Sequence, residues 1–273
     1  MTPNLSIVML TRNGLPITKM CVESIQKHTK DYELICIDNG STDGTVAYLN
    51  SLPHAVVISN GENRGFAAGN NQGFREARGE YIVMLNNDTL VTPQWSELLI
   101  NWLNKNSSVG MVGPRSNNVS PGQQISTEET VELATVDSFA IDWTKRYANQ
   151  GFYSRKLVGH CILFRRSLLE HIGGLDERFH PANYEDDDFC LRARLFGKNL
   201  WVANDVFIYH FGHASFLVNK VKYRDYSWEN ARRFIEKWQL PMSIHQLETQ
   251  GYNPNLIVGR VGTFDPQKHV EPL

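Results

Sequence analysis

The stretch Leu5-Ser6-Ile7-Val8-Met9-Leu10-Thr11-Arg12-Asn13-Gly14 is an apolar run with β-branched content that breaks into a polar, glycine-containing segment. The first part reads as a buried strand and the second as the turn that leaves it. The same composition recurs twice. Residues 33–37 run into Asp38-Asn39-Gly40-Ser41-Thr42-Asp43-Gly44, and residues 81–85 run into Asn86-Asn87-Asp88. A fourth apolar run, 55–59, is followed by Asn63-Arg64-Gly65-Phe66. Helical patterns fill the intervals at 17–29, 45–51 and 67–78. A further helix is expected from Pro93, after a cap-like Thr92, to Lys105, ahead of a strand at 109–112. Strands alternating with helices imply βαβ units, so the expected class is α/β with a Rossmann-like, mostly parallel central sheet flanked by helices.

Beyond Pro114 the texture changes. Residues 114–156 carry early Ser, Asn, Gln, Pro and Gly with weak patterning, which predicts a long, partly mobile connection across one face. Regular elements are expected again at 157–165 (strand), 167–172 and 185–196 (helices), 200–203 (strand) and 223–238 (helix). Residues 240–273 show turn signals with little periodicity. The economical reading is one domain over 1–240 with an elaborated C-terminal third. Its halves divide near residue 113, and a tail, 241–273, packs on the domain or on a partner.

The 273 residues carry 27 Lys+Arg against 29 Asp+Glu, a net charge of −2. A protein that wraps a nucleic-acid backbone normally shows a basic excess, so no nucleic-acid partner is expected. The longest apolar runs fall far short of the ~20 residues of a membrane span. The apolar run at 5–10 is too short for a signal segment, which places the chain in the cytosol. Cys21, Cys36, Cys161 and Cys190 form no C-x-x-C pair and sit among apolar or helical neighbours, as reduced structural thiols do.

In an open parallel sheet, ligands bind beyond the carboxyl ends of the strands, where the three polar segments gather. Ordinary turn chemistry explains any one of them, but it explains three in succession less well. No G-x-G-x-x-G and no P-loop lysine is present, so a nucleotide would be held by side chains: Asp38 or Asn39 on base or ribose, Arg64 on phosphate. Asp88 is a hard oxygen ligand suited to Mg2+ or Mn2+ on a diphosphate. The densest signal is Glu185-Asp186-Asp187-Asp188. Two readings stand: an acidic helix start favoured by the helix dipole, or a cluster in which Asp186 acts as a general base. His210 and His213 close a strand-like Phe207-Ile208-Tyr209 and read either as structural or as ligands for a divalent ion. The helix at 223–238 reads either as packing on the sheet or as contact with a membrane surface or lipid-linked acceptor.

Taken in order, the blocks at 10–13, 37–45, 63–70, 85–89 and 185–192 resemble glycosyltransferase family 2, with a rhamnosyltransferase-like branch the most similar. The resemblance spans roughly residues 4–215. It implies a GT-A fold, a nucleotide-diphosphate sugar donor (UDP- or dTDP-sugar), a divalent metal (Mn2+ or Mg2+) and inversion at the anomeric carbon. It also implies a glycan or lipid-linked acceptor, as in polysaccharide and cell-envelope synthesis at the inner face of the membrane. Thr11, Arg12, Asn13, Asp38, Asn39, Arg64, Asn70, Asn86 and Asn87 would then contact the nucleotide sugar. Asp88 and His210 would hold the metal, Asp186 would be the base, and Glu185, Asp176 and His160 would face the acceptor. Asn86 departs from the family's D-x-D pattern and leaves fewer charged metal ligands. An inactive sugar-nucleotide-binding protein and a nucleotidyltransferase are the competing readings, and homodimerisation through the C-terminal region is a further expectation.

Overall fold

The computed structural model describes residues 3–212, 223–253 and 273. Its nine strands lie in the order β3-β2-β1-β4-β8-β6-β9-β5, with β7 paired to β9. They are β1 (Leu5–Thr11), β2 (Tyr32–Asp38), β3 (Ala55–Ser59), β4 (Tyr81–Asn86), β5 (Thr89–Leu90), β6 (Val109–Ser116), β7 (Gly151–Ser154), β8 (Cys161–Arg165) and β9 (Asn199–His210). Strands β3, β2, β1 and β4 pair in parallel, β8 is antiparallel to both β4 and β6, and β6 runs parallel to β9.

Both faces of this sheet are covered, so its strands are apolar throughout and successive side chains enter different cores. Ile7, Met9, Cys36, Val83 and Leu85 join one buried cluster, while Val8, Ile35, Ile37, Ile82 and Met84 join the other. The first face is closed by α1 (Leu15–His28) and α4 (Trp95–Lys105), the second by α3 (Phe66–Glu76), α6 (Ser167–Ile172) and α7 (Glu185–Leu195). The short helix α2 (Thr45–Asn50) joins β2 to β3. Helix α3 sits down closely on β1. A Cβ at Gly69 would lie 2.3 Å from Leu10 Cδ1, and one at Gly73 would lie 2.3 Å from Val8 Cγ1, so any larger residue would lift the helix off the sheet.

Three expectations are corrected. Residues 114–156 contain a 3-10 turn (Leu133–Thr135), the helix α5 (Val136–Arg146) and the strand β7. Helix α5 is anchored because Ala140 and Trp143 pack with Phe207, and the Trp143 indole N–H donates to the Asn204 carbonyl at 2.7 Å. Helix α4 starts at Trp95 rather than Pro93. The Thr92 hydroxyl donates to the Phe207 carbonyl instead of capping, and Gln94 takes a left-handed conformation (φ 65°). The tail also contains a helix, α9 (Ile244–Gln250), opened by a capping box between Ser243 and Gln246. The four cysteines are free and buried, as expected. No helix among the described residues is long and apolar enough to cross a membrane.

Helix α8 (Tyr223–Trp238) packs through Ala231, Phe234 and Trp238 against Phe179 and Leu191, and Leu247 of α9 joins this cluster. A buried ionic network ties it to α7. Asp188 accepts from Arg192 Nε at 2.8 Å and from the Trp238 indole at 2.9 Å, and lies 2.6 Å from Lys237 Nζ. Lys237 also meets Asp176 at 2.7 Å. Removing one partner from such a network leaves charge buried without compensation. Asp188→Leu strands the buried Arg192 and leaves Lys237 with Asp176 alone, and is expected to cost about 3–5 kcal/mol, read as a lower urea midpoint at unchanged slope.

Candidate active site

Beyond the carboxyl ends of β1, β4 and β9 lies a cavity of about 620 Å3. Thr11, Arg12, Asn39, Asn86, Asn87 and Asp88 enter it from the strand ends. Gly159, His160, Glu185, Asp186 and His210 line it from the later half of the chain.

Asp88 and His210 meet because β5 pairs antiparallel with β9, with Thr89 opposite His210. The Phe211 N–H donates to the Asp88 carbonyl at 2.9 Å and locks this register. The His210 Nδ1 lies 2.6 Å from the Asn118 carbonyl, which holds a proton on that nitrogen and turns Nε2 toward Asp88. Nε2 stands 3.2 Å from Asp88 Oδ1, and each of these two buried atoms has no partner but the other. Burial opposes a charged ring, but the Asp88 carboxylate outweighs it and raises the His210 pKa. Two adjacent donors, one hard oxygen and one imidazole nitrogen, fit a divalent cation. Among the described residues no third Asp, Glu, His or Cys completes a ligand cluster, so such an ion would need ligands from a bound molecule. His213 lies outside the described residues.

Asp186 is the one member of 185–188 that is not buried. Its Oδ2 accepts from the Gly159 N–H and its Oδ1 from the Asp187 N–H, both at 2.9 Å, which aims the carboxylate and stabilises its charge. Asp187 lies 3.1 Å from Lys156 Nζ, and its negative charge raises the lysine pKa. Glu185 is buried with Oε2 unpartnered; burial first, and the neighbouring Asp186 charge second, push its pKa well up. His160 is buried as well, and burial together with nearby His210 drives its pKa well down. Burial thus favours the neutral form of both Glu185 and His160.

Other candidates are placed differently. Asp38 does not line the cavity: Oδ2 accepts from the Gly40 and Ser41 N–H groups at 3.0 and 2.9 Å, and Oδ1 from the Ser41 hydroxyl. Asn13 stitches two loops together, accepting at Oδ1 from the Thr42 N–H at 2.7 Å. Asn39 lines the cavity and is braced by Asn60 at 2.8 Å. Asn87 donates to the Thr18 hydroxyl at 2.9 Å. Asn70 is buried outside the lining and donates to the Phe66 carbonyl at 2.9 Å, while Arg64 is exposed and also outside it. Asp176 lies outside the lining too. Burial alone would raise its pKa, but Arg178 and Lys237 hold it well below the ordinary range.

Several lining residues carried no sequence signal. Lys156 and Asn118 come from the stretch read as a connection, and Glu248 and Tyr252 come from the tail. The Ser243–Gln246 capping box was the one local clue to the tail's helix.

The family model described as "Glycosyl transferase family 2" matches residues 6–173. The chain belongs to this family. The chain spans less than two thirds of the length of several relatives it matches. The chain is 28% identical over 219 residues to the poly(ribitol-phosphate) beta-glucosyltransferase of Bacillus spizizenii, covering 76% of this chain and 32% of that protein. It is 24% identical over 229 residues to the N-acetylglucosaminyl-diphospho-decaprenol L-rhamnosyltransferase of Mycobacterium tuberculosis, covering 74% and 73%. An uncharacterized Sinorhizobium fredii protein is 25% identical over 95% of this chain, which spans only 30% of that protein's length. Among solved structures, the mannosyltransferase PcManGT from Pyrobaculum calidifontis, in complex with GDP-Man and Mn2+, aligns with a TM-score of 0.62 at 18% identity over 95% of this chain and 73% of that one. S. aureus TarS 1-349 in complex with UDP aligns at 0.58 and 15% identity over 93% and 69%. These likenesses establish the GT-A fold.

The buried Glu185 gives a pH-dependent prediction. An unfolded glutamate ionises near pH 4.3, whereas the folded one stays protonated to higher pH. The unfolded state therefore gains stability as pH rises from that value through the folded pKa. Urea midpoints of Glu185→Gln are expected to fall less over this window than those of the wild type, and parallel pH profiles would refute the assignment.

Proposed function

We propose that the chain is an inverting glycosyltransferase that moves a sugar from a nucleoside-diphosphate donor to a hydroxyl of a glycan or lipid-linked acceptor. The observation that carries this reading is the Asp88–His210 pair, its facing atoms buried and 3.2 Å apart, on the same cavity as Asp186. Its support is the family itself, together with the sugar nucleotide, UDP and Mn2+ named in the neighbouring structures. Two relatives named for cell-envelope chemistry point to an envelope glycan or its lipid-linked precursor as acceptor.

A divalent cation on Asp88 and His210 would supply positive charge for the diphosphate leaving group. The nucleoside would lie along the strand ends that carry Thr11, Arg12 and Asn39, with Arg12 adding charge near the phosphates. Asp186 would accept the proton of the acceptor hydroxyl as that oxygen forms its bond to the anomeric carbon and the bond to the diphosphate oxygen breaks. Its two backbone N–H contacts hold the carboxylate in one orientation, so the base does not have to be ordered when the acceptor arrives. Attack from the side opposite the leaving group inverts the anomeric centre.

Three outcomes test the reading. With a panel of UDP-, dTDP- and GDP-sugars and Mn2+, one donor class is expected to raise the melting temperature and to be turned over. Asp186→Asn is expected to reduce transfer by about a hundredfold or more while donor affinity stays within about twofold. Asp88→Ala is expected to lose the Mn2+-dependent part of nucleotide binding by calorimetry; affinity unchanged with Mn2+ would remove Asp88 from the cation site.

A further inference from the structure

His160 lies where the two halves of the cavity meet. Its carbonyl accepts from the Asn86 N–H at 2.9 Å, tying it to the strand end that carries Asp88. The residue before it, Gly159, donates to Asp186. Its ring lies 5.4 Å from that of His210, centroid to centroid. The residue lines the cavity and is only 1% exposed; neither ring nitrogen makes a well-aligned hydrogen bond among the described residues, the Val158 backbone being the one group that favours a proton on the ring. A phenyl or leucyl group would fill this volume without leaving a polar atom poorly satisfied, and buried polar atoms are normally paired. The missing partner is therefore sought in whatever occupies the cavity. It is not explained by a three-residue metal cluster, since none forms among the described residues.

The location selects the partner. Resting on the glycosyl-transfer reading, the leaving diphosphate belongs at Asp88 and His210 and the attacking hydroxyl at Asp186. The anomeric carbon must lie between them. A ring anchored to both sides of that gap meets the transferred sugar, not the nucleoside, which lies toward Thr11 and Asn39. We propose that His160 is a specificity-determining residue that hydrogen-bonds a hydroxyl of the transferred sugar through a ring nitrogen. A site built to bond a hydroxyl discriminates strongly against the analogue that lacks it, because its own polar atoms are then stranded.

The test uses the donor identified by the panel together with its deoxy analogues, each lacking one hydroxyl. Wild-type protein is expected to lose about tenfold or more in kcat/KM on one analogue. His160→Phe is expected to show a similar loss on the parent donor and no further loss on that analogue, with Mn2+-dependent binding of the free nucleoside diphosphate within about twofold of wild type. An equal loss on every donor, or a wild type indifferent to every hydroxyl, overturns the inference. So does loss of nucleoside-diphosphate binding to the extent seen in Asp88→Ala, which would make the ring a cation ligand. If His160→Phe fails to fold, as judged by its melting curve, His160→Asn serves instead. It keeps a polar group near Nδ1 and is expected to change the ranking of donors, and an unchanged ranking overturns the inference. Wild-type protein that turns over no sugar nucleotide overturns the proposed function itself, whereas turnover with a uniform loss in the variants overturns only the role of His160.

Discussion

Four consecutive carboxylates in the first turn of one helix cannot all be buried as anions, and the site takes its form from the way each is accommodated. Asp188 is neutralised by Arg192 and Lys237 and accepts from Trp238. Asp187 is matched by Lys156. Glu185 is held toward its neutral form by burial and by Asp186. Only Asp186 keeps an open side, with two backbone N–H groups fixing its direction. The N-terminal end of the helix dipole favours the whole set, so the dipole reading and the chemical reading of this motif are complementary.

The same constraint explains why the C-terminal helices belong to the domain. Lys237 and Trp238 of α8 supply two of the groups that make Asp188 tolerable in the interior, and the apolar residues around them complete a separate small core. Helix α9 then brings Leu247 into that core, and Glu248 and Tyr252 to the cavity wall. Positioning of Asp186 and closure of the cavity are thus linked through one buried carboxylate. The Asp88–His210 pair depends on a different device, the two-residue strand β5, whose register against β9 places an imidazole next to Asp88.

Much of the fold was legible because strands buried on both faces are apolar without interruption, and glycine-rich or polar segments mark where they stop. Residues 55–59 coincide with β3, and β1, β2 and β4 extend the expected runs by a residue or two into the site. The reading failed where long-range contacts overrode weak local patterning. Helix α5 forms because Trp143 finds Phe207 and the Asn204 carbonyl, partners more than 60 residues away in sequence. Helix α4 loses its expected cap because Thr92 finds a better acceptor in Phe207. In the site, Asp38 was expected on base or ribose, and its carboxylate accepts from the Gly40 and Ser41 N–H groups and the Ser41 hydroxyl of its own loop. Asp176, also expected at the site, is part of the ionic network behind α7.

Local chemistry was enough to settle the α/β class, and it singled out the strand ends, Asp88, His210 and the 185–188 cluster, which all contribute to the cavity wall. Residue periodicity and turn composition act over a few residues and need no partner to be read. What only the tertiary structure decided is which polar atoms remain unsatisfied once the chain is packed. The 3.2 Å approach of His210 to Asp88, the single half-open carboxylate among four, and the buried, poorly satisfied ring of His160 all follow from register and burial between segments far apart in the chain. Burial sets the energetic cost of an unpaired group, and no run of neighbouring residues specifies burial by itself.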